Sequence, residues 1–260
     1  MKIATWNING VKARIDALTT WLKEAGPDVV CLQEIKSVDE GFPLDAVAAA
    51  GYQAAVHGQK GFNGVAILAK RPIEDVQRGL PGDPEDAQAR YIEATLSGDH
   101  GRAVRVAGLY LPNGNPIGTE KFTYKLAWME RLSRRAKDLL ALEMPVVLAG
   151  DFNVIPEPKD ARNPANWASD ALFQPGSRAA LRALVAQGWT DAVRATMPGA
   201  DVYTFWDYQA GAWPRNNGIR IDHLLLSPQA ADTLRGVTIL KEFRAREKPS
   251  DHVPVMADLG

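Results

Sequence analysis

The chain has 260 residues, 46% apolar and 23% charged, ordinary figures for a soluble globular protein and enough length to bury roughly three quarters of the unfolded surface. No apolar run approaches the ~20 residues of a membrane span, the start "MKIATWNING" does not resemble a signal peptide, and the single Cys31 excludes an internal disulfide and fits a reducing cytoplasm. A net charge of −1 means that a polyanionic partner must be held by a local basic surface rather than by the overall field.

Taken in chain order, "KIATWN" (2–7) predicts a strand. Residues 11–26 predict a helix, with Val11, Ile15, Leu18 and Leu22 at helical spacing and Gly26-Pro27 as the stop. "DVVCLQE" (28–34) is a short apolar strand ending in a carboxylate, and 64–70, 90–96 and 102–111 are further strands. The longest helix is expected over 118–143, with Phe122, Leu126, Met129 and Leu132 on one side. "PVVLAGDFN" (145–153) follows as a strand. Residues 156–175 carry four prolines and read as a long ordered loop with a short helix. A helix over 177–188 and strands over 202–206, 219–227 and 253–259 complete the series. No low-complexity linker divides the chain, so 1–260 is expected to form a single domain. Many strands, some joined too closely for a helix between them, predict a mixed-sheet α/β fold of two packed sheets with helices outside.

Acids recur at strand ends. Glu34 closes "VVCLQE", Asp151 closes "VVLAGD", Asp222 interrupts "IRIDHLLL" and Asp251 precedes "VPVM". Ligands of α/β sheets sit beyond strand ends, so strands sharing an edge would bring these carboxylates together. Two unit charges ~5 Å apart repel by roughly 3 kcal/mol at an effective dielectric near 20. Such a cluster calls for a cation, a shifted proton or hydrogen-bond donors, and oxygen donors favour a hard ion such as magnesium or manganese. Each acid taken alone also reads as a helix cap or solvated turn. Polar neighbours weaken that reading: Asn7 and Asn9 follow the first strand, Asn153 follows Asp151 by two, and His252 follows Asp251.

The ordered set "TWNING", "LQEIK", "YLPNG", "GDFN", "RIDHLLLS" and "SDHVPV" resembles the endonuclease/exonuclease/phosphatase superfamily, and within it the exodeoxyribonuclease III and abasic-site endonuclease family. The resemblance spans essentially the whole chain. It implies a four-layer α/β sandwich, two mixed β-sheets packed face to face and flanked by helices, with the site at one rim. It also implies a magnesium- or manganese-dependent nuclease of base-excision repair. That activity would cut 5′ to abasic sites in double-stranded DNA, act as a 3′–5′ exonuclease and clean blocked 3′ ends, in the bacterial cytoplasm at the nucleoid; a monomer is expected, because one active site handles one strand. The alternatives are a phosphomonoesterase with the same centre, or a non-catalytic nucleic-acid-binding member.

By the same resemblance Glu34 is the principal metal carboxylate, with Asn7, Asp151, Asn153, Asp251 and His252 around the metal. Asp151 is the candidate activator of water, Asn153 fixes it and the phosphate, Asp222 orients His252, and Tyr110 stands beside the phosphate. An Asp222–His252 pair favours imidazolium; neutral His252 as the base is the alternative. Asn9, Asn113, Arg215 and Arg220 are candidate DNA contacts, with "KEFRAREK" (241–248) as a further basic segment. Phe205, Trp206 and Trp213 lie just ahead of the Asp222 strand, and Phe205, Ile219 and Ile221 are expected to form an apolar pocket for a flipped, baseless sugar. His223 should face away from Asp222 by strand alternation. His57 and His100 belong to no motif.

Overall fold

The computed structural model describes residues 1–24, 26–97 and 103–260, so His100 lies outside the described residues. Among the described residues, twelve strands form two sheets. The first holds β1 (Lys2–Asn7), β2 (Val29–Gln33), β3 (Gln53–His57), β4 (Val65–Ala69), β11 (Leu234–Ile239) and β12 (Val255–Leu259), in the order β11-β12-β1-β2-β4-β3. The second holds β5 (Ile73–Arg78), β6 (Tyr91–Ser97), β7 (Ala103–Tyr110), β8 (Val146–Asp151), β9 (Thr190–Asp191) and β10 (Asp222–Leu226), in the order β5-β6-β7-β8-β10-β9. Both sheets are mixed: β1 and β2 run parallel, as do β7 and β8, among antiparallel neighbours.

Strand alternation divides the core into layers. Ile3, Val29, Cys31, Ile67, Val106, Val147, Ala149 and Leu224 fill the space between the sheets. The opposite residues of the first sheet, Ala4, Trp6, Val30 and Leu32, pack with Leu18, Trp21 and Leu22 of α1 (Ile15–Glu24) and Val47 of α2 (Leu44–Ala49). Those of the second sheet, Leu109, Val146 and Leu148, pack with Trp128, Met129 and Leu132 of α3 (Glu120–Leu140) and Leu181 and Leu184 of α4 (Pro175–Val185). The result is the four-layer sandwich expected. Short α5 (Ala192–Thr196) and α6 (Pro228–Ala231) are the remaining α-helices among the described residues.

Three sequence expectations change. Residues 202–206 form no strand; Phe205 makes only isolated bridges to Ile219 and His252. The Pro-rich loop holds three short 3-10 turns, Pro158–Asp160, Pro164–Trp167 and Ala171–Phe173. Strands β3, β5, β9 and β11 escape the sequence reading; β5 and β11 are largely exposed or half-buried and so show no apolar alternation. Among the described residues no helix is long and apolar enough to cross a membrane.

Candidate active site

Register brings the acids to one rim. Asn7 ends β1 opposite Gln33, the residue before Glu34. Tyr110 and Asp151 end the parallel strands β7 and β8 as partners. Antiparallel β10 begins with Asp222 directly opposite Asp151. The alternation that sends Ile3, Val106, Val147, Ala149 and Leu224 between the sheets puts Asn7, Tyr110, Asp151 and Asp222 on those same inner faces, one step past the apolar residues. Gly150 is required beside them, since a Cβ there would stand 2.0 Å from the Leu109 carbonyl oxygen.

The Asn7 amide links the sheets. Its Nδ2 donates to Glu34 Oε1 at 2.9 Å and to Asp151 Oδ2 at 3.0 Å, while its Oδ1 accepts the Asn9 N–H at 3.1 Å. Lys36 Nζ stands 3.2 Å from Glu34 Oε2 and 2.5 Å from Asn9 Oδ1. Glu34, Asn9 and Asn153 hold φ of 48°, 49° and 47°, the left-handed region that costs a non-glycine residue energy and clusters at functional sites. Asp251 accepts from Asn9 Nδ2 at 3.1 Å.

His252 completes a buried row. Its Nδ1 lies 2.9 Å from Asp222 Oδ2 and its Nε2 3.6 Å from Asp151 Oδ2. Burial opposes charge on the imidazole, but Asp222, Asp151 and Asp251 overcome it and push its pKa up to about 10. Burial pushes the Asp151 carboxyl up to about 7, with Asp222 adding to the shift and His252, Asn7 and the Asn153 N–H opposing it. Burial would raise Glu34 too, yet the Asn7 hydrogen bond, Lys36 and His252 leave it below the usual range. Burial, then Glu34 and Asp151, hold the Tyr110 phenol well above its ordinary value, so it stays protonated. A charged His252 is a donor, which leaves Asp151 as the candidate base.

The other candidates separate. Asn153 donates its N–H to Asp151 Oδ1 at 2.9 Å and its Nδ2 to the Leu111 carbonyl at 2.9 Å, and Asn113 Nδ2 reaches Asn153 Oδ1 at 3.4 Å. Phe205, half-buried, sets its ring edge-on to His252 with centroids 5.0 Å apart. Arg215 is exposed. Arg220 is not available to DNA: it is 1% exposed and its guanidinium pairs with Asp160 and Asp191 and meets His223 Nδ1. Trp206 is likewise core, 0% exposed, with Nε1 on Asn216 Oδ1, and half-buried Trp213 packs edge-on against it at 5.1 Å. Ile219 and Ile221 pack with Ile155, Ala161 and Leu172 in a buried cluster, with half-buried Phe205, Trp167 and Phe173 packed against it. His223 faces away from Asp222, its Nε2 3.2 Å from the Val154 carbonyl oxygen, as alternation requires.

Lys36 and Lys125 were not among the sequence candidates. Lys36 sits two residues after Glu34, a spacing that could have flagged it. Lys125 lies on the buried stripe of α3 with Trp128, Met129 and Leu132. A cavity of about 590 Å³ opens beside Asn113, lined by Arg90, Lys121, Gln59, Phe62 and Tyr124 among others. Arg90 stacks over the Tyr110 ring at 4.8 Å.

The donors fit a hard divalent ion. Glu34 and Asp151 offer oxygens across one amide, and ligand atoms of Asp151, Asp222 and His252 lie within 4.8 Å of one another. Beside them the Asn7 nitrogen faces both acids and its Oδ1 accepts the Asn9 N–H, while Asp222 holds His252 at Nδ1.

Residues 4–252 match the model of the Endonuclease/Exonuclease/phosphatase family. The chain is 36% identical to "Exodeoxyribonuclease III" of Haemophilus influenzae, with 99% of each chain covered. Among solved structures it is similar to the 3′ phosphatase NExo from Neisseria bound to product DNA hairpin, at 37% identity and TM-score 0.96 over 100% of this chain and 99% of that one. It is also similar to an AP endonuclease from Archaeoglobus fulgidus, at 36% identity and TM-score 0.94 over 100% and 99%.

Proposed function

Because the chain belongs to the endonuclease/exonuclease/phosphatase family, we propose that it is a metal-dependent DNA repair nuclease that hydrolyses phosphate esters of duplex DNA with water as the attacking group. The observation that carries this reading is the single Asn7 nitrogen spanning Glu34 and Asp151, with His252 set between Asp151 and Asp222. Glu34 and Asp151, with Asp251 nearby, would hold magnesium or manganese, which supplies positive charge to the developing phosphate oxyanion. Asp151 takes the proton of the attacking water at a carboxylate oxygen. His252 donates from Nε2 to a phosphate oxygen, kept charged by Asp222. Asn153 fixes Asp151 through its N–H, and the protonated Tyr110 phenol beside Glu34 can give a proton to the leaving oxygen.

The substrates are the phosphodiester 5′ to an abasic site and blocked or recessed 3′ ends of double-stranded DNA, met by a monomer in the cytoplasm at the nucleoid. Within that range the Ile219–Ile221–Leu172 cluster packs closed beneath half-buried Phe205, Trp167 and Phe173, which leaves a flipped sugar little apolar depth and favours work at 3′ ends over incision. A phosphomonoesterase or a non-catalytic binder fits less well: every carboxylate of the centre is present, and the similar proteins carry the names of DNA-acting enzymes.

The test is incubation with a duplex bearing one abasic site, and with a 3′-phosphorylated duplex, in magnesium and in EDTA. Nicking 5′ to the lesion or release of the 3′ phosphate, in magnesium alone, is expected. Intact DNA alongside phosphate released from inositol phosphates would transfer the protein to the phosphatases.

A further inference from the structure

A lysine on the apolar stripe of a helix must find partners for its charge, and Lys125 finds three. It is 0% exposed, and Nζ donates to the carbonyls of Pro112 at 3.1 Å, Asn113 at 3.1 Å and Asn153 at 2.6 Å. An ammonium has three protons, so its capacity is filled. The three carbonyls belong to the two loops that leave the parallel strands β7 and β8 at the catalytic rim.

What those loops carry is the polar shell of Asp151. Asn153 holds φ 47° and aims its N–H at Asp151 Oδ1, and Asn113 Nδ2 meets Asn153 Oδ1. The first loop is wrapped on the lysine stem itself: a Cβ at Gly114, whose φ is +87°, would stand 2.5 Å from Lys125 Cδ. Packing alone would be served by leucine or methionine, which match the neighbouring Trp128, Met129 and Leu132. A buried ammonium is costly and is offset only by well-aimed acceptors, so its presence ties the carbonyl directions of both loops to one point.

We propose that Lys125 is a positioning residue for hydrolysis: its ammonium fixes Asn113 and Asn153 relative to each other, and through the Asn153 N–H fixes Asp151. The inference rests on the nuclease reading of that site. Lys125→Met keeps the stem and removes the charge. Its kcat on the duplex is expected to fall roughly 10- to 100-fold, as for other residues that orient a catalytic group at one remove. Its affinity for the same duplex in EDTA should stay within about twofold of the original, the pattern of an interaction that acts on the chemical step. Lys125→Arg should recover part of the loss. Gly114→Ala, which leaves the charge and pushes the loop off the stem, should reproduce it. In an Asn113→Ala background Lys125→Met should cost less than alone.

Undiminished kcat in Lys125→Met, even with a lower melting temperature, would overturn the proposal, and so would an arginine variant no better than methionine. If the methionine variant does not fold, unchanged kcat in Gly114→Ala overturns it instead. The unaltered protein run in parallel separates the two levels: if it leaves the duplex intact in magnesium, the nuclease reading fails and not merely this one.

Discussion

Asp151 and His252 compete for protons in one buried row, and the proposed roles follow the direction of that competition. His252 sits between two carboxylates and keeps its proton to about pH 10, while Asp151, raised to about 7, gives its proton up near neutrality. A base must be able to accept, so Asp151→Asn removes the proposed acceptor while keeping shape, and Glu34→Ala removes the proposed metal carboxylate. Each is expected to lower turnover by roughly 10²- to 10⁴-fold, with a near-native circular dichroism spectrum; near-normal rates in either would withdraw that residue's role. The apolar cluster yields a second expectation. Leu172 packs against Ile219 and Ile221 beside Phe205, so Leu172→Gly should open room for a baseless sugar and raise abasic-site nicking relative to 3′-phosphate release. An unchanged ratio would show that the cluster does not set the preference. At this scale the sequence exposed the acids through their company: each strand-end carboxylate alone reads as a cap or turn, but Asn7, Asn9, Asn153 and His252 stand beside them. It did not expose burial: Arg220 and Trp206 sit among the motifs, yet one serves Asp160 and Asp191 and the other the core. Both have obvious nucleic-acid chemistry, and only partners elsewhere in the fold reveal the difference.

Among the elements, β6, β7 and α3 meet at a charge that plays no part in the site. Glu93 on β6 is 0% exposed and accepts hydrogen bonds from Arg105 on β7, Arg135 on α3 and Tyr91. Burial alone would raise its pKa, but Arg135, Arg105 and Tyr91 bring it below the ordinary glutamate value. The folded chain therefore binds that proton less readily than the unfolded chain. The stabilisation is complete above the usual glutamate pKa of ~4.3 and is lost as pH falls through the lower folded value. Glu93→Gln should cost about 3 kcal/mol at pH 7, as for a buried pair deprived of one partner. Its stability in urea should also fall less steeply than that of the unaltered chain between about pH 5 and pH 3. Parallel curves would mean that Glu93 contributes nothing through its charge. Strands of this kind were legible where both faces are buried, as in β2, β4 and β8, which read as unbroken apolar runs. Edge strands such as β5 and β11 were not, because one-sided exposure leaves them too polar to stand out.

The whole molecule must hold a polyanion with a net charge of −1. Its field is therefore local: three cations stand at or beside the rim, and a fourth is exposed elsewhere on the surface. Lys36 stands beside Glu34, Arg90 over Tyr110, Lys121 in the cavity next to Asn113, and Arg215 on the exposed segment after Trp213. If these four neutralise one phosphate each, the logarithm of DNA affinity should fall with the logarithm of salt concentration at a slope of about −3.6. Arg215→Ala should then make the slope shallower by roughly one and weaken binding evenly across sequences. Arg220→Ala should behave differently: it takes one cation from buried Asp160, leaving it Arg194, and the side-chain cation from half-buried Asp191, so the loss should appear as about 3 kcal/mol of folding stability. For the fraction that remains folded, the salt slope should be unaltered. Fluorescence anisotropy titrations of a labelled duplex in EDTA, from low to moderate salt, measure the slopes. A value near zero would mean that the rim cations do not meet the backbone. An Arg220 variant that stays stable but loses the same increment as Arg215→Ala would return Arg220 to the DNA-binding surface from which its burial removes it.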